Sequence, residues 1–147
     1  MGSTYHKLCY HWICSTKYRK PLIRAEWRPR FLEYLGGTIR GLHGVPLKAG
    51  GVEDHVHLLL GLKPVHCISD FVRELKKASS AWTARVLEPD FEWQEGYSIF
   101  SVGCGGLVEL TEYIDGQEEH HRKETFEAEL KRLLEKHGIQ HDPQYLL

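Results

Sequence analysis

The stretch Val52-Glu53-Asp54-His55-Val56-His57-Leu58-Leu59-Leu60-Gly61-Leu62 decides the architecture. Residues two apart on a strand point to the same face. Read as a strand, the segment sends His55 and His57 to one side and Val56, Leu58 and Leu60 to the other. It predicts a sheet with one face in an apolar core and the other carrying two adjacent imidazoles. Such a pair is a ready set of metal ligands. The plainer alternative is two half-exposed strand histidines, because H-x-H by itself is a weak motif.

The neighbouring segments complete the pattern. Val45 to Gly51 reads as a short strand. Before it, a helix from about Arg24 to Leu42 places Phe31, Leu32, Leu35, Ile39 and Leu42 at helical spacing. Tyr5 to Ser15 reads as a long aromatic-rich strand. One of its faces carries Tyr5, Lys7, Cys9, His11 and Ile13, the other His6, Leu8, Tyr10, Trp12 and Cys14. Ser15-Thr16-Lys17-Tyr18-Arg19-Lys20-Pro21 is a basic loop. On the C-terminal side, Ser69 is the expected N-cap of a helix reaching about Leu87 and burying Phe71, Val72, Leu75, Trp82 and Val86. Trp93 to Val102 reads as a strand or hairpin, and Gly103-Cys104-Gly105-Gly106 as a flexible joint. Helices follow over Leu107 to His121 and Thr125 to His137. The class is α+β, with the ferredoxin-like order β-α-β-β-α-β and additional C-terminal helices. Such a sheet packs helices on one face and leaves the other for a ligand or a second subunit.

Composition bounds the rest. The chain has 147 residues, 41% hydrophobic and 27% charged, which predicts one domain over 1–147. Four Trp, seven Tyr and five Phe argue against disorder. No apolar run approaches the ~20 residues of a membrane helix. The start has no secretory apolar region, so a cytoplasmic protein is expected. Cys9, Cys14, Cys67 and Cys104 lack C-x-x-C spacing, so free and mostly buried thiols are expected. The net charge of −1 hides an asymmetry. Residues 1–30 carry seven Lys/Arg against one acid, residues 31–87 seven against five, and residues 88–147 five against fourteen. A basic first part permits an anionic partner on one side of the molecule.

Tyr113-Ile114-Asp115-Gly116-Gln117 forms a second constellation. On a helix, Tyr113 and Gln117 are neighbours at i and i+4, while Leu107, Leu110 and Ile114 form a separate apolar stripe. Packing therefore does not require Tyr113 or Gln117, although a surface tyrosine in an ordinary hydrogen bond remains the alternative. Gly116 inside the helix costs about 1 kcal/mol relative to Ala, which suggests a movable helix. His120 and His121 read as solvated helix histidines rather than ligands.

Taken together, these residues resemble the single-tyrosine HUH transposases of the insertion-sequence two-hundred/six-hundred-five group. The matching pieces are Ser15 to Pro21, Asp54-His55-Val56-His57-Leu58-Leu59, Leu75-Lys76-Lys77-Ala78-Ser79-Ser80, Trp93 to Tyr97, Phe100 to Gly103, and Tyr113 to His121 with Thr125-Phe126. The resemblance spans about residues 5 to 135. It implies that His55, His57 and Gln117 are metal ligands and that Tyr113 is the nucleophile. The implied activity cuts and rejoins single-stranded DNA near hairpins at the ends of a mobile element, through a 5′-phosphotyrosine link. A divalent metal, Mg²⁺ or Mn²⁺, is implied. So is a homodimer in which the tyrosine helix of one subunit can complete the site of the other.

The charge distribution makes Lys17, Arg19 and Lys20, with Arg73, Lys76 and Lys77, the expected phosphate contacts. Two other readings stand beside the transposase. One is a domesticated relative that binds hairpin DNA without transposition. The other is a metal-dependent phosphodiesterase acting on small molecules.

Overall fold

The structure is a computed structural model and describes residues 2–142. Four strands form one sheet: β1 (Leu8–Ser15), β2 (Val45–Gly51), β3 (His55–Leu62) and β4 (Ser98–Val102). Their order is β2-β3-β1-β4 and every pair is antiparallel. This is the ferredoxin-like arrangement that the alternating pattern predicts. Among the described residues, five α-helices accompany the sheet: α1 (Arg28–Gly41), α2 (Ile68–Val86), α3 (Leu107–Asp115), α4 (Gln117–His120) and α5 (Phe126–Lys136). Among the described residues, no helix is long and apolar enough to cross a membrane.

Register assigns the two faces. Trp12 lies opposite Leu58, Cys14 opposite Val56 and Tyr10 opposite Leu60. Trp12, Cys14, Val56, Leu58 and Leu60 pack with Phe31, Leu35 and Ile39 of α1 and Phe71, Val72 and Leu75 of α2 in the main core. Ile13 lies opposite His57, Ser15 opposite His55 and His11 opposite Phe100, so these residues share the second face. The second face is not left open, as a bare ferredoxin-like sheet would leave it. Phe126, Leu130, Leu133 and Leu134 of α5 join Ile13 and Phe100 in a second apolar cluster. The Thr125 hydroxyl caps α5 by accepting from the Ala128 N–H at 3.2 Å.

Several boundaries differ from the sequence reading for physical reasons. The first strand pairs only from Leu8, and Tyr5 is exposed. The first helix begins at Arg28 rather than Arg24, with Pro29 in its first turn, where a missing N–H is tolerated. The second begins after Cys67, which has extended backbone, so Ser69 sits inside the first turn rather than at the cap. Of Trp93 to Val102 only Ser98–Val102 forms a strand, while Trp93 bridges to Thr16 alone. The helix expected over 107–121 breaks at Gly116 into α3 and α4. All four cysteines are free, but only Cys9 and Cys14 are buried; Cys67 and Cys104 are exposed.

The segment carrying Tyr113 is anchored in this chain rather than loosely held. Ile114 is fully buried. A Cβ built on Gly50 of β2 would collide with the Ile114 backbone oxygen, so glycine permits the close approach of α3 to β2. Lys48 Nζ meets Asp115 Oδ1 at 2.7 Å, and Arg28 Nη1 meets Glu118 Oε1 at 3.0 Å, securing both sides of the break. Gly50→Ala is therefore expected to force α3 away from β2. The loss should be about 1–3 kcal/mol, the usual cost of overpacking, read as a lower urea midpoint. An unchanged midpoint would mean that α3 does not dock on β2 in solution.

Candidate metal and tyrosine site

Strand alternation brings His55 and His57 to one face of β3, and both are fully buried beneath the C-terminal helices. Glu129 of α5, also fully buried, lies directly against them. Its Oε1 is 3.0 Å from His57 Nε2, 3.4 Å from His55 Nε2 and 3.1 Å from His121 Nε2. Its Oε2 accepts a short hydrogen bond from the Tyr113 hydroxyl. One carboxylate thus touches both strand histidines, a third imidazole and the tyrosine.

The second nitrogen of each imidazole is also held. His55 Nδ1 is 2.8 Å from Asp54 Oδ1, and His121 Nδ1 is 2.9 Å from the backbone carbonyl of Glu124. Both partners are acceptors, so each Nδ1 donates outward and each Nε2 is turned inward. His57 Nδ1 lies 2.7 Å from His11 Nε2. The two inward nitrogens of His55 and His121 are 3.0 Å apart. Two imidazole nitrogens this close need a proton or a cation between them. The inner atoms of His55, His57, His121 and Glu129 all lie within 4.8 Å of one another. Three imidazole nitrogens and one carboxylate oxygen, with ring orientations fixed from behind, fit a divalent metal.

The electrostatics follow from burial and pairing. Burial holds His57 down to about 4, although Glu129 opposes the shift. Burial and then His57 hold His11 down to about 3. Burial also pulls on His55, but Asp54 and Glu129 outweigh it and raise that imidazole above its ordinary value. Burial would lift the Glu129 carboxyl, yet His121, His55 and His57 keep it well below the carboxylate range. Burial and then Glu129 push the Tyr113 phenol up. Arg132 opposes them, donating from Nη2 to the phenolic oxygen at 2.9 Å while its guanidinium lies 5.7 Å from the ring centroid. Beside Tyr113 opens a cavity whose lining includes His11, Tyr113, Arg132, Lys136 and His137.

Of the residues singled out by sequence, His55, His57 and Tyr113 come together around Glu129. Gln117 is buried next to them, with Oε1 at 2.9 Å from His121 Nε2. His121 is not a solvated helix histidine: it faces His55 edge-on, with ring centroids 4.5 Å apart. His120 reaches Glu124 at 2.8 Å and Glu129 at 3.3 Å, so it also belongs to the periphery of the site. The four-residue spacing of Tyr113, Gln117 and His121 carried a signal for His121. For Glu129 the signal was an acid on the same helical stripe as the buried Phe126 and Leu133.

The basic residues are dispersed. Arg19 Nε lies 3.5 Å from Asp54 Oδ2, and Lys17 Nζ lies 3.7 Å from Glu92. Lys20 and Lys77 are exposed. Arg73 pairs with Asp70 and Glu74. Lys76 donates to the backbone oxygens of Gln94 and Gly96 at 2.6 and 2.8 Å, tying α2 to the loop before β4.

A buried imidazole pair on a ferredoxin-like sheet stands beside a tyrosine, and comparison with known proteins identifies the family. The family described as "Transposase IS200 like" matches residues 4–117, and the chain belongs to that family of transposases. The ISDra2 transposase TnpA of Deinococcus radiodurans is 30% identical over 122 residues, covering 76% of this chain and 85% of the relative. A crystal structure of a transposase from Deinococcus radiodurans R1 superposes with a TM-score of 0.64 at 30% identity, covering 80% of this chain and 96% of the other. A REP-associated tyrosine transposase bound to a REP hairpin superposes with a TM-score of 0.60 at 15% identity, covering 82% of this chain and 73% of the other, and shares the fold.

Asp54 orients His55 from behind without facing the inner donor cluster. Loss of such a support typically weakens metal binding about 10–100-fold. Asp54→Asn is therefore expected to bind Mn²⁺ that much more weakly than the wild-type chain in calorimetric titrations of metal-stripped protein. Equal affinities would remove Asp54 from this role.

Proposed function

We propose that the chain cleaves and rejoins single-stranded DNA at hairpin-bearing ends of a mobile element through a 5′-phosphotyrosine intermediate. One observation carries the reading: Glu129 holds the Tyr113 hydroxyl with one oxygen and meets the inner nitrogens of His55 and His57 with the other. A nucleophile and a metal-binding pair bridged by one carboxylate are close enough to act on the same phosphodiester. The hairpin in the structural neighbour is consistent with a hairpin ligand here.

His55, His57 and Gln117 are the proposed metal ligands, with His121 and Glu129 joining them. A bound divalent ion there would polarise the phosphoryl oxygen and stabilise charge on the leaving oxygen. A nitrogen-rich donor set suits Mn²⁺ better than Mg²⁺, which prefers octahedral oxygen ligation. Tyr113 remains protonated at rest and is oriented from two sides. Its O–H bond breaks as phosphorus is attacked, the proton leaving to solvent, and Arg132 stabilises the phenolate oxygen by donating to it. That oxygen forms a bond to phosphorus, and the bond from phosphorus to the 3′-oxygen breaks. The 3′-oxygen leaves with the electron pair and takes a proton from solvent. The aryl phosphodiester keeps the bond energy, so a free 3′-hydroxyl can later displace Tyr113 and join two strands without a nucleotide cofactor.

Lys17, Arg19, Lys20, Arg73, Lys76 and Lys77 are proposed to contact DNA phosphates. Of these, Lys20, Arg73 and Lys77 are exposed; Arg73 would have to leave its acidic partners and Lys76 two carbonyl groups. A homodimer is proposed as the working assembly, with one sheet edge meeting its own copy across a two-fold axis. Because Tyr113 and His57 meet within one chain, attack is proposed to occur in cis in this arrangement.

The test uses single-stranded DNA from the flanks of the gene, with Mn²⁺ or Mg²⁺, on denaturing gels. Wild-type protein is expected to form a covalent adduct. Tyr113→Phe should form none while keeping its affinity for the DNA. His57→Ala should also be inactive, through lost metal binding. A mixture of Tyr113→Phe and His57→Ala chains should stay inactive, because in cis no chain of the mixture has a complete site. Restored adduct would establish exchange between subunits, and adduct formed by Tyr113→Phe alone would overturn the nucleophile.

A further inference from the structure

The turn after β1 holds a backbone conformation that its side chains disfavour. Tyr18 and Arg19 have φ of 58° and 54°, two consecutive non-glycine residues in the left-handed region. Strain of this kind persists only where surrounding contacts impose it, and it concentrates at binding sites. Those contacts are present. The Thr16 N–H donates to the Asp54 carbonyl at 2.8 Å, and the Thr16 hydroxyl to the Lys20 carbonyl at 2.7 Å. The Lys17 N–H donates to the Glu92 carbonyl at 2.8 Å, and the Arg19 N–H to the Thr16 carbonyl at 3.0 Å.

The turn displays an aromatic ring instead of burying it. Tyr18 is 77% exposed. The Lys17 and Lys20 ammonium groups stand 5.7 and 5.9 Å from its ring centroid. By contrast, Tyr34 and Trp82 on the helical side stack on each other at 4.0 Å and satisfy one another. Arg19 faces inward: its guanidinium lies 5.4 Å from the Phe126 ring centroid, and Phe126 stacks on His55 at 4.0 Å. With the Arg19–Asp54 pair, these contacts fix the turn against the histidine cluster.

We propose that Tyr18 is a stacking platform for one unpaired nucleobase of single-stranded DNA, with Lys17 and Lys20 on the phosphates flanking that base. An exposed ring between two cations is the composition that sequence-tolerant single-strand sites use, because every base has a π-face and every linkage a charge. The proposal rests on the single-strand reading of the function and deepens it. It assigns a base contact beside the cleavage site and supplies a reason for the strained turn.

The test measures binding of a fluorescent single-stranded oligothymidine, together with thermal midpoints, for wild type, Tyr18→Ala, Tyr18→Phe and Tyr18→Gly. Alanine and glycine are expected to weaken binding by about 5- to 150-fold, the range of one base–aromatic stack. Phenylalanine should bind within about twofold of wild type, since the ring remains. Glycine adopts the left-handed conformation without a Cβ penalty, so it should raise the thermal midpoint while lowering affinity. Opposite movement of stability and binding marks strain retained for a ligand. Wild-type binding left unchanged by Tyr18→Ala would remove the platform and leave the single-strand reading standing. A phenylalanine variant as weak as alanine, or a glycine variant that loses stability along with affinity, would assign Tyr18 to the fold and overturn the platform. Failure of the wild-type chain to bind would overturn the platform and the single-strand reading together.

Discussion

The Glu129 carboxylate is the contact around which the second face of the sheet is organised. A fully buried carboxylate is costly unless opposing donors surround it. Here three imidazoles converge on one oxygen and a phenol on the other. Those side chains come from three places: two from β3, one from the residue after α4 and one from α3. Meeting at Glu129 therefore ties the sheet, the tyrosine helix and α5 to a common point. The apolar contacts of Phe126, Leu130, Leu133 and Leu134 bring α5 close enough for this to happen.

The same arrangement explains the orderly second ring of contacts. Asp54, the Glu124 carbonyl and His11 each occupy the outer nitrogen of one histidine. With those positions filled, the inner nitrogens have no alternative direction. Asp54 has a second role, since its other oxygen faces Arg19. The basic turn after β1 is thereby fixed to the same framework as the histidines. The basic turn, the histidines and Tyr113 are held in fixed relation by these shared contacts.

Docking of the tyrosine segment depends on small features. Gly50 lets α3 approach the backbone of β2. The helix is interrupted at Gly116, and Tyr113, Gln117 and His121 keep a four-residue spacing across the interruption.

Much of this was written in local sequence. The alternation Val56, Leu58, Leu60 against His55 and His57 determined both the sheet and the face carrying the imidazoles, because strand side chains alternate whatever surrounds them. The joint pattern of that strand and Tyr113 to His121 identified the family. Tertiary structure alone decided the partners of those residues. His121 and Glu129 look like ordinary surface residues until α5 folds over the sheet, because burial depends on contacts distant in sequence. Arg132 meets Tyr113 only through that packing. Likewise, no propensity foretells positive φ at Tyr18 and Arg19: the turn is held there by Asp54 and Glu92, from segments separated in sequence and brought together only by the completed fold.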